Sequence, residues 1–232
     1  MLKRVWKLVK IGLAVALVVL ALAAAFGYFW VRSQLAPQEV VAGSRWPRSM
    51  SYEAADRAAL DLVSKMTLDE EIEQMTGSGL ARLILFPIFH DGEVAPVYAG
   101  RNERLGIPPI AFTDGPRGVI CGRSTAFPVA MARAATWDLE LQRSVGDAIG
   151  QEVRAQGANY WGGLCLNIVR HPSMGRAEET YGEDPWLTGE MGAAILTAVQ
   201  RHNVMACAKH FALNSMETAR FKNDVEIGPG RR

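Results

Sequence analysis

Four residues of the 232-residue chain combine side-chain types that could grip a polar ligand: Asp114, Arg176, Lys209 and His210. Each stands just after an apolar run. IAFT leads into Asp114-Gly115-Pro116, the stretch holding Leu166, Ile168 and Val169 leads into the loop with Arg176, and VMACA leads into Lys209-His210. A fork of donors, a point charge, an imidazole and one carboxylate together suit a ligand rich in hydroxyl groups. Each residue also has a plainer use. An isolated Asp-Gly-Pro serves its own turn, and an arginine in an acidic loop pairs readily with a neighbour, here Glu183 or Asp184. Glu178, Glu179, Glu183 and Asp184 read as solvated or capping charges. Lys209 is the harder one to dismiss, because lysine directly after a buried run is costly without a purpose.

The elements that must position these residues follow from periodicity and punctuation. Ala54, Ala55, Ala58, Ala59, Leu62 and Val63 recur at helical spacing up to about Met66. Thr67 with Glu70 three positions on is a capping box, so TLDEEIEQM opens a second short helix, whose buried face is expected to hold Leu68, Ile72 and Met75. ARLILFPIF suits a strand or a helix, and HDGEVAPVYAGRNERLG reads as loop. IAFT is a short strand, Thr136 and Asp138 offer caps for a helix that Gly157 stops, and Leu164 to Val169 reads as a buried strand. Asp184-Pro185 then pairs an N-cap with proline at the first helical position, opening a core-facing helix from Trp186 to about Asn203. VMACA completes the series as a short buried strand. Strand, polar loop, helix, strand is the order of a parallel β/α architecture, in which loops after the strands converge on one face.

Composition narrows the setting. The chain is 49% hydrophobic and 21% charged, ordinary for a globular domain with a substantial core. Residues 1 to 32 carry five basic residues and no acidic one, leaving 20 basic against 24 acidic residues elsewhere, which is no nucleic-acid footprint. Residues 11 to 31 hold no charge and are long enough to cross a bilayer core of about 30 Å. With Lys3, Arg4, Lys7 and Lys10 before them, they are expected to form a transmembrane anchor, residues 1–10 cytoplasmic and the globular part periplasmic or extracellular. Ala23-Ala24-Ala25 leaves a cleaved signal peptide as the rival reading. Residues 32–50 read as a linker and residues 51–232 as the folded domain. Cys121, Cys165 and Cys207 lack metal spacing and read as buried free thiols, so neither a metal nor a cofactor is expected.

The segments TLDEEIEQM, RLGIPPIAFTDGPRGV, TAFPVAMARAATWDLEL, NIVRHPSMGRAEETYGEDP and KHFALNSMET resemble, in order and spacing, the N-terminal domain of glycoside hydrolase family 3, the β-glucosidase and β-xylosidase family. The resemblance runs from about residue 52 to residue 227. It implies an α/β fold: an incomplete (β/α)8 TIM-like barrel, here preceded by one N-terminal transmembrane helix. It implies retaining hydrolysis of terminal non-reducing β-D-glycosidic bonds in a β-linked oligosaccharide or glycoside, with Asp114, Arg176, Lys209 and His210 matching positions that bind the hydroxyls of the sugar at the cleavage subsite.

Departures from the family pattern are as informative. Family members carry an aspartate nucleophile in a Ser-Asp-Trp-like segment downstream of the Lys-His motif, and no such segment follows here. No residue matches the family's acid/base, so no catalytic residue is assigned, and GPGRR after Ile227 reads as the end of a truncated frame. Retaining hydrolysis needs two carboxyl groups about 5 to 5.5 Å apart, one as nucleophile and one as acid. Three other readings stand beside this one: a membrane-anchored sugar-binding pseudoenzyme, a small anchored structural protein, and an unrelated β/α enzyme using Glu178 or Glu183 as acid or base.

Overall fold

The structure, a computed structural model, describes residues 2–35, 50–77, 80–89 and 94–226. The chain divides into two compact units, Met1–Gln38 with Gly79–Gly92, and Glu39–Ser78 with Glu93–Arg232. The first holds helices α1 (Leu2–Leu35) and α4 (Leu80–Phe89). α1 runs past the expected end of the anchor at residue 31, so residues 32–35 are helix rather than linker; residues 36–49 lie outside the described residues. Within α1, Gly12–Ser33 is long and apolar enough to cross a membrane, with mean hydropathy 2.3. For ARLILFPIF, which pattern left open between strand and helix, the outcome is helix, with Pro87 inside its last turn.

The second unit opens with α2 (Tyr52–Val63) and α3 (Leu68–Gln74). The capping box forms: Thr67 Oγ1 accepts from the Glu70 N–H at 3.3 Å, and Glu70 Oε2 accepts from the Thr67 N–H at 2.9 Å. Arg104 donates to both Glu70 oxygens, at 2.8 and 2.6 Å, and to the Lys65 carbonyl, stitching this corner to a later loop. The Arg104 guanidinium and the capping N–H hold the Glu70 carboxyl down at about 2. The expected buried face does not exist, however. Leu68, Ile72 and Met75 are exposed, because no described element packs over them.

Four strands form one sheet in the order β1-β2-β3-β4: β1 (Val97–Ala99), β2 (Ile110–Thr113), β3 (Tyr160–Cys165) and β4 (Met205–Lys209). β2, β3 and β4 are parallel, as the alternation of elements predicts, but β1 pairs antiparallel with β2. β1 lies inside the stretch read as loop; three residues are too few for a periodicity, and the open edge of β2 decides their conformation. The strand expected at residues 164–169 also lies earlier in the chain. Its glycines hid it: a Cβ on Gly162 would stand 2.5 Å from the Phe112 ring, and one on Gly163 2.2 Å from the Gly115 carbonyl oxygen. Close strand approach, not side-chain pattern, makes this segment a strand.

α5 (Ala130–Ala134) and α6 (Leu139–Ala155) connect β2 to β3, and α7 (Pro185–Gln200) connects β3 to β4. Asp138 and Asp184 cap α6 and α7, each accepting two backbone N–H groups. The two helices cross closely at Gly146, where a Cβ would meet the Ile195 carbonyl at 2.8 Å. Ile149, Val153, Met191, Ile195 and Val199 pack there with Trp161 and Leu164 into one core. β4 is not the buried strand its composition suggests: Met205 is exposed and its neighbours half-buried, since no described strand lies beyond it.

Candidate functional site

Because β2, β3 and β4 are parallel, the loops that follow them leave the sheet at the same end. Asp114 follows β2, Arg176 stands in the loop after β3, and Lys209 ends β4 with His210 next to it. The turn at Asp114 is fixed from below. Its Oδ1 accepts the Gly115 N–H at 2.8 Å, and the Gly115 carbonyl accepts from Trp161 Nε1 at 3.2 Å. Gly115 has φ +128°, and a Cβ there would stand 1.8 Å from the Gly118 carbonyl oxygen, so glycine is required. From the helical side, the buried Arg133 donates to the Pro116 carbonyl at 3.3 Å and to Gln142 Oε1 at 3.1 Å.

All four singled-out residues come together as two contacting pairs. Lys209 Nζ donates to Asp114 Oδ1 at 2.6 Å, the lysine side chain 14% and the aspartate 39% exposed. Arg176 Nη1 lies 3.1 Å from His210 Nε2. His210 Nδ1 is 2.8 Å from Asn167 Oδ1, which accepts only, so the proton sits on Nδ1 and Nε2 receives the arginine N–H. Burial, then the charges of Arg176 and Lys209, push the imidazole below its ordinary value and keep it neutral.

The fork of Arg176 does not reach Glu183 or Asp184. It clamps Glu179 instead, Nε to Oε1 at 2.9 Å and Nη2 to Oε2 at 2.5 Å, and its Nη1 stands 3.6 Å from Glu217. Glu179 is therefore no solvated charge: a single 3-10 turn, Ala177–Glu179, folds it back three residues onto the arginine. Burial alone would raise its carboxyl, but the hydrogen bonds and charge of Arg176 outweigh that and hold it low. Glu217 is likewise held below its ordinary value, with Arg220 and Asn214 outweighing desolvation. Glu178 and Glu183 are exposed, and Asp184 is occupied in capping α7. Beneath the loop, burial and the facing Glu179 carboxylate push the Cys165 thiol up to about 12, an inert protonated thiol.

Asn167, Glu179 and Glu217 are the members of the cluster that pattern missed. Asn167 lies within an apolar run and is buried, a signal that was available; Glu179 was one acidic residue among several, and Glu217 stands 41 residues after Arg176. The Arg176–His210 pair borders a pocket of about 1210 Å3, lined also by Arg170, Phe211, Asn214 and Met216. In the cluster itself, Asp114 is paired with Lys209, Glu179 with Arg176 and Glu217 with Arg220. Such a site can orient and hydrogen-bond a polyhydroxyl ligand. Glu179 and Glu217, both held low, are not poised as acids, a role that needs a raised pKa.

Polar side chains gathered at the carboxyl ends of parallel strands are the arrangement in which enzymes of the β/α class hold their ligands. The chain belongs to glycosyl hydrolase family 3: residues 92–223 match the model of the glycosyl hydrolase family 3 N terminal domain. It is 34% identical over 185 residues to beta-glucosidase B of Emericella nidulans, covering 77% of this chain and 20% of that protein. It is 41% identical over 138 residues to thermostable beta-glucosidase B of Acetivibrio thermocellus, covering 54% of this chain and 18% of that one. Among solved structures it is similar to beta-glucosidase 3B from Thermotoga neapolitana in complex with glucose, at TM-score 0.60 and 34% identity over 68% of this chain and 23% of that chain. The chain thus spans about a fifth of the length of the curated relatives it matches.

Proposed function

We propose that this chain supplies the sugar-binding part of a retaining β-glucosidase-type site, built on part of a (β/α)8 barrel, with the nucleophile and the acid coming from outside residues 1–232. One observation carries the reading: Asp114–Lys209 and Arg176–His210 meet at the carboxyl end of three parallel strands. Asp114 offers acceptor positions for two sugar hydroxyls and Lys209 and Arg176 stand on the donor side, while His210, its Nδ1–H given to Asn167 and its Nε2 accepting from Arg176, orients the arginine. The beta-glucosidase neighbours, one of them in complex with glucose, support the substrate class. The carboxylates of the cluster support the division of labour. Glu179 and Glu217 are both held low by cations, so neither is poised to protonate a leaving group.

The test is an aryl β-glucoside assay on residues 33–232 alone and on a chain extended through a Ser-Asp-Trp segment. Turnover by the extended chain alone is the expected result. Robust hydrolysis by residues 33–232 would place a carboxylate pair within this stretch and overturn the assignment; glucose binding without turnover in either chain would favour the pseudoenzyme.

The same proposal places the chain at a membrane, anchored by the apolar part of α1 with the globular part outside the cytoplasm. Length, hydropathy and the flanking Lys3, Arg4, Lys7 and Lys10 support it. Protease added to cells stripped of their wall should digest the domain. Survival there, with digestion only after lysis, would reverse the orientation.

A further inference from the structure

α4 is not explained by sugar binding. It lies ahead of residues 92–223, which the family's N-terminal-domain model matches, and it belongs to the compact unit of α1 rather than to the sheet domain. Its sequence, LARLILFPIF, carries one charge, Arg82, and no acidic residue. It packs against α1. Among the described side chains of Gly12–Ser33, only that of Val31 is partly covered, near the far end of the span. That end also carries Tyr28, Phe29 and Trp30, all exposed, residues of the kind that sit at the level of lipid headgroups. Ile84 and Ile88, one turn apart, are 52% and 68% exposed.

We propose that α4 is a second membrane-contacting element, an interfacial helix that lays Ile84 and Ile88 into the headgroup boundary of the lipid bilayer beside the outer end of α1. The occupant follows from continuity. A helix that packs on the end of a membrane span, at the depth of its aromatic residues, has lipid as its remaining neighbour, and an uncharged apolar face is stable there. The short α4, about 15 Å long at 1.5 Å per residue, suits lying in the interface and is too short to cross it. The chain then meets the bilayer at two places, α1 and α4, so the sheet domain is tethered from both sides of α2 and α3.

The inference rests on α1 being the anchor, and the experiment separates the two. A protease site is inserted within residues 36–49 of the full chain, which is reconstituted into vesicles of zwitterionic and anionic lipid and sedimented before and after cleavage. Before cleavage, resistance to an alkaline wash reports α1; extraction by that wash would sink the anchor reading. After cleavage, the part from α2 onward should stay with the vesicles in the unaltered chain. I84E/I88E should release it, with about a 100-fold weaker partition, as expected for withdrawing two isoleucines from apolar surroundings. The milder I84S/I88S should behave in the same direction without adding charge, and circular dichroism checks that both fold. Release of the unaltered chain on cleavage would overturn the proposal. So would retention of I84E/I88E, because Ile84 and Ile88 are exposed and a hold through α1 alone would survive their loss.

Discussion

Replacing Asp114 by alanine removes the carboxylate hydrogen-bonded to Lys209. In the structure Lys209 Nζ has that partner at 2.6 Å, and its side chain keeps only 14% of its surface in water. Two costs arise. For stability, the loss of a hydrogen bond between charged groups is worth about 1.5 to 3 kcal/mol. Asp114 is 39% exposed and Glu179 is close enough to act on the same lysine, so about 1 to 2 kcal/mol is expected after allowing for solvent screening. For binding, the same loss at a sugar hydroxyl corresponds to about 10- to 150-fold weaker affinity at about 1.4 kcal/mol per decade. D114N retains an acceptor for Lys209 and for the Gly115 N–H but not the charge, and should fall between alanine and the unaltered chain. The assay is a glucose titration followed by NMR on residues 33–232, with thermal unfolding of each variant alongside. A folded D114A that binds glucose as the unaltered chain does would refute the clamp, since the loss would then be purely structural.

Further outcomes follow from the same geometry. E179Q frees the fork of Arg176 from its charged partner and should weaken glucose binding about 10-fold while leaving the fold intact, measured in the same titration. His210 has a depressed pKa, so below its ordinary value of 6.5 the unfolded chain takes up a proton that the folded site refuses, and stability falls as pH falls. Denaturant midpoints between pH 7 and 5 should show that decline, and H210N should reduce its slope. G163A would set a methyl 2.2 Å from the Gly115 carbonyl oxygen, a backbone atom that cannot swing away; a loss of about 1 to 3 kcal/mol is expected in denaturant unfolding, with weakened glucose binding because the Asp114 turn moves. G146A, 2.8 Å from the Ile195 carbonyl, should cost a similar amount of stability but leave glucose affinity in the surviving folded protein unchanged.

Local chemistry was legible in the sequence wherever a few adjacent residues decide the outcome. The Thr67–Glu70 box, the caps at Asp138 and Asp184 with Pro185, and the stop at Gly157 depend on backbone groups within one turn. So did the four polar residues at strand ends, because a costly polar residue after an apolar run is visible without coordinates. Tertiary structure alone decided the rest. β3 is a strand because Gly162 and Gly163 let Phe112 and the Asp114 turn approach, contacts 48 or more residues away that no local pattern encodes. β1 is antiparallel because an edge of β2 was open to it. Helical spacing on α3 showed which face is apolar but not whether anything would cover it, and nothing described does. The partner of Arg176 read as Glu183 or Asp184, but a 3-10 turn brings Glu179 to it instead, and the tautomer of His210 required Asn167 and Arg176 to arrive from another loop. Spacing along a chain fixes what neighbours can do within a turn, whereas which charges end up facing each other depends on where the sheet brings its loops.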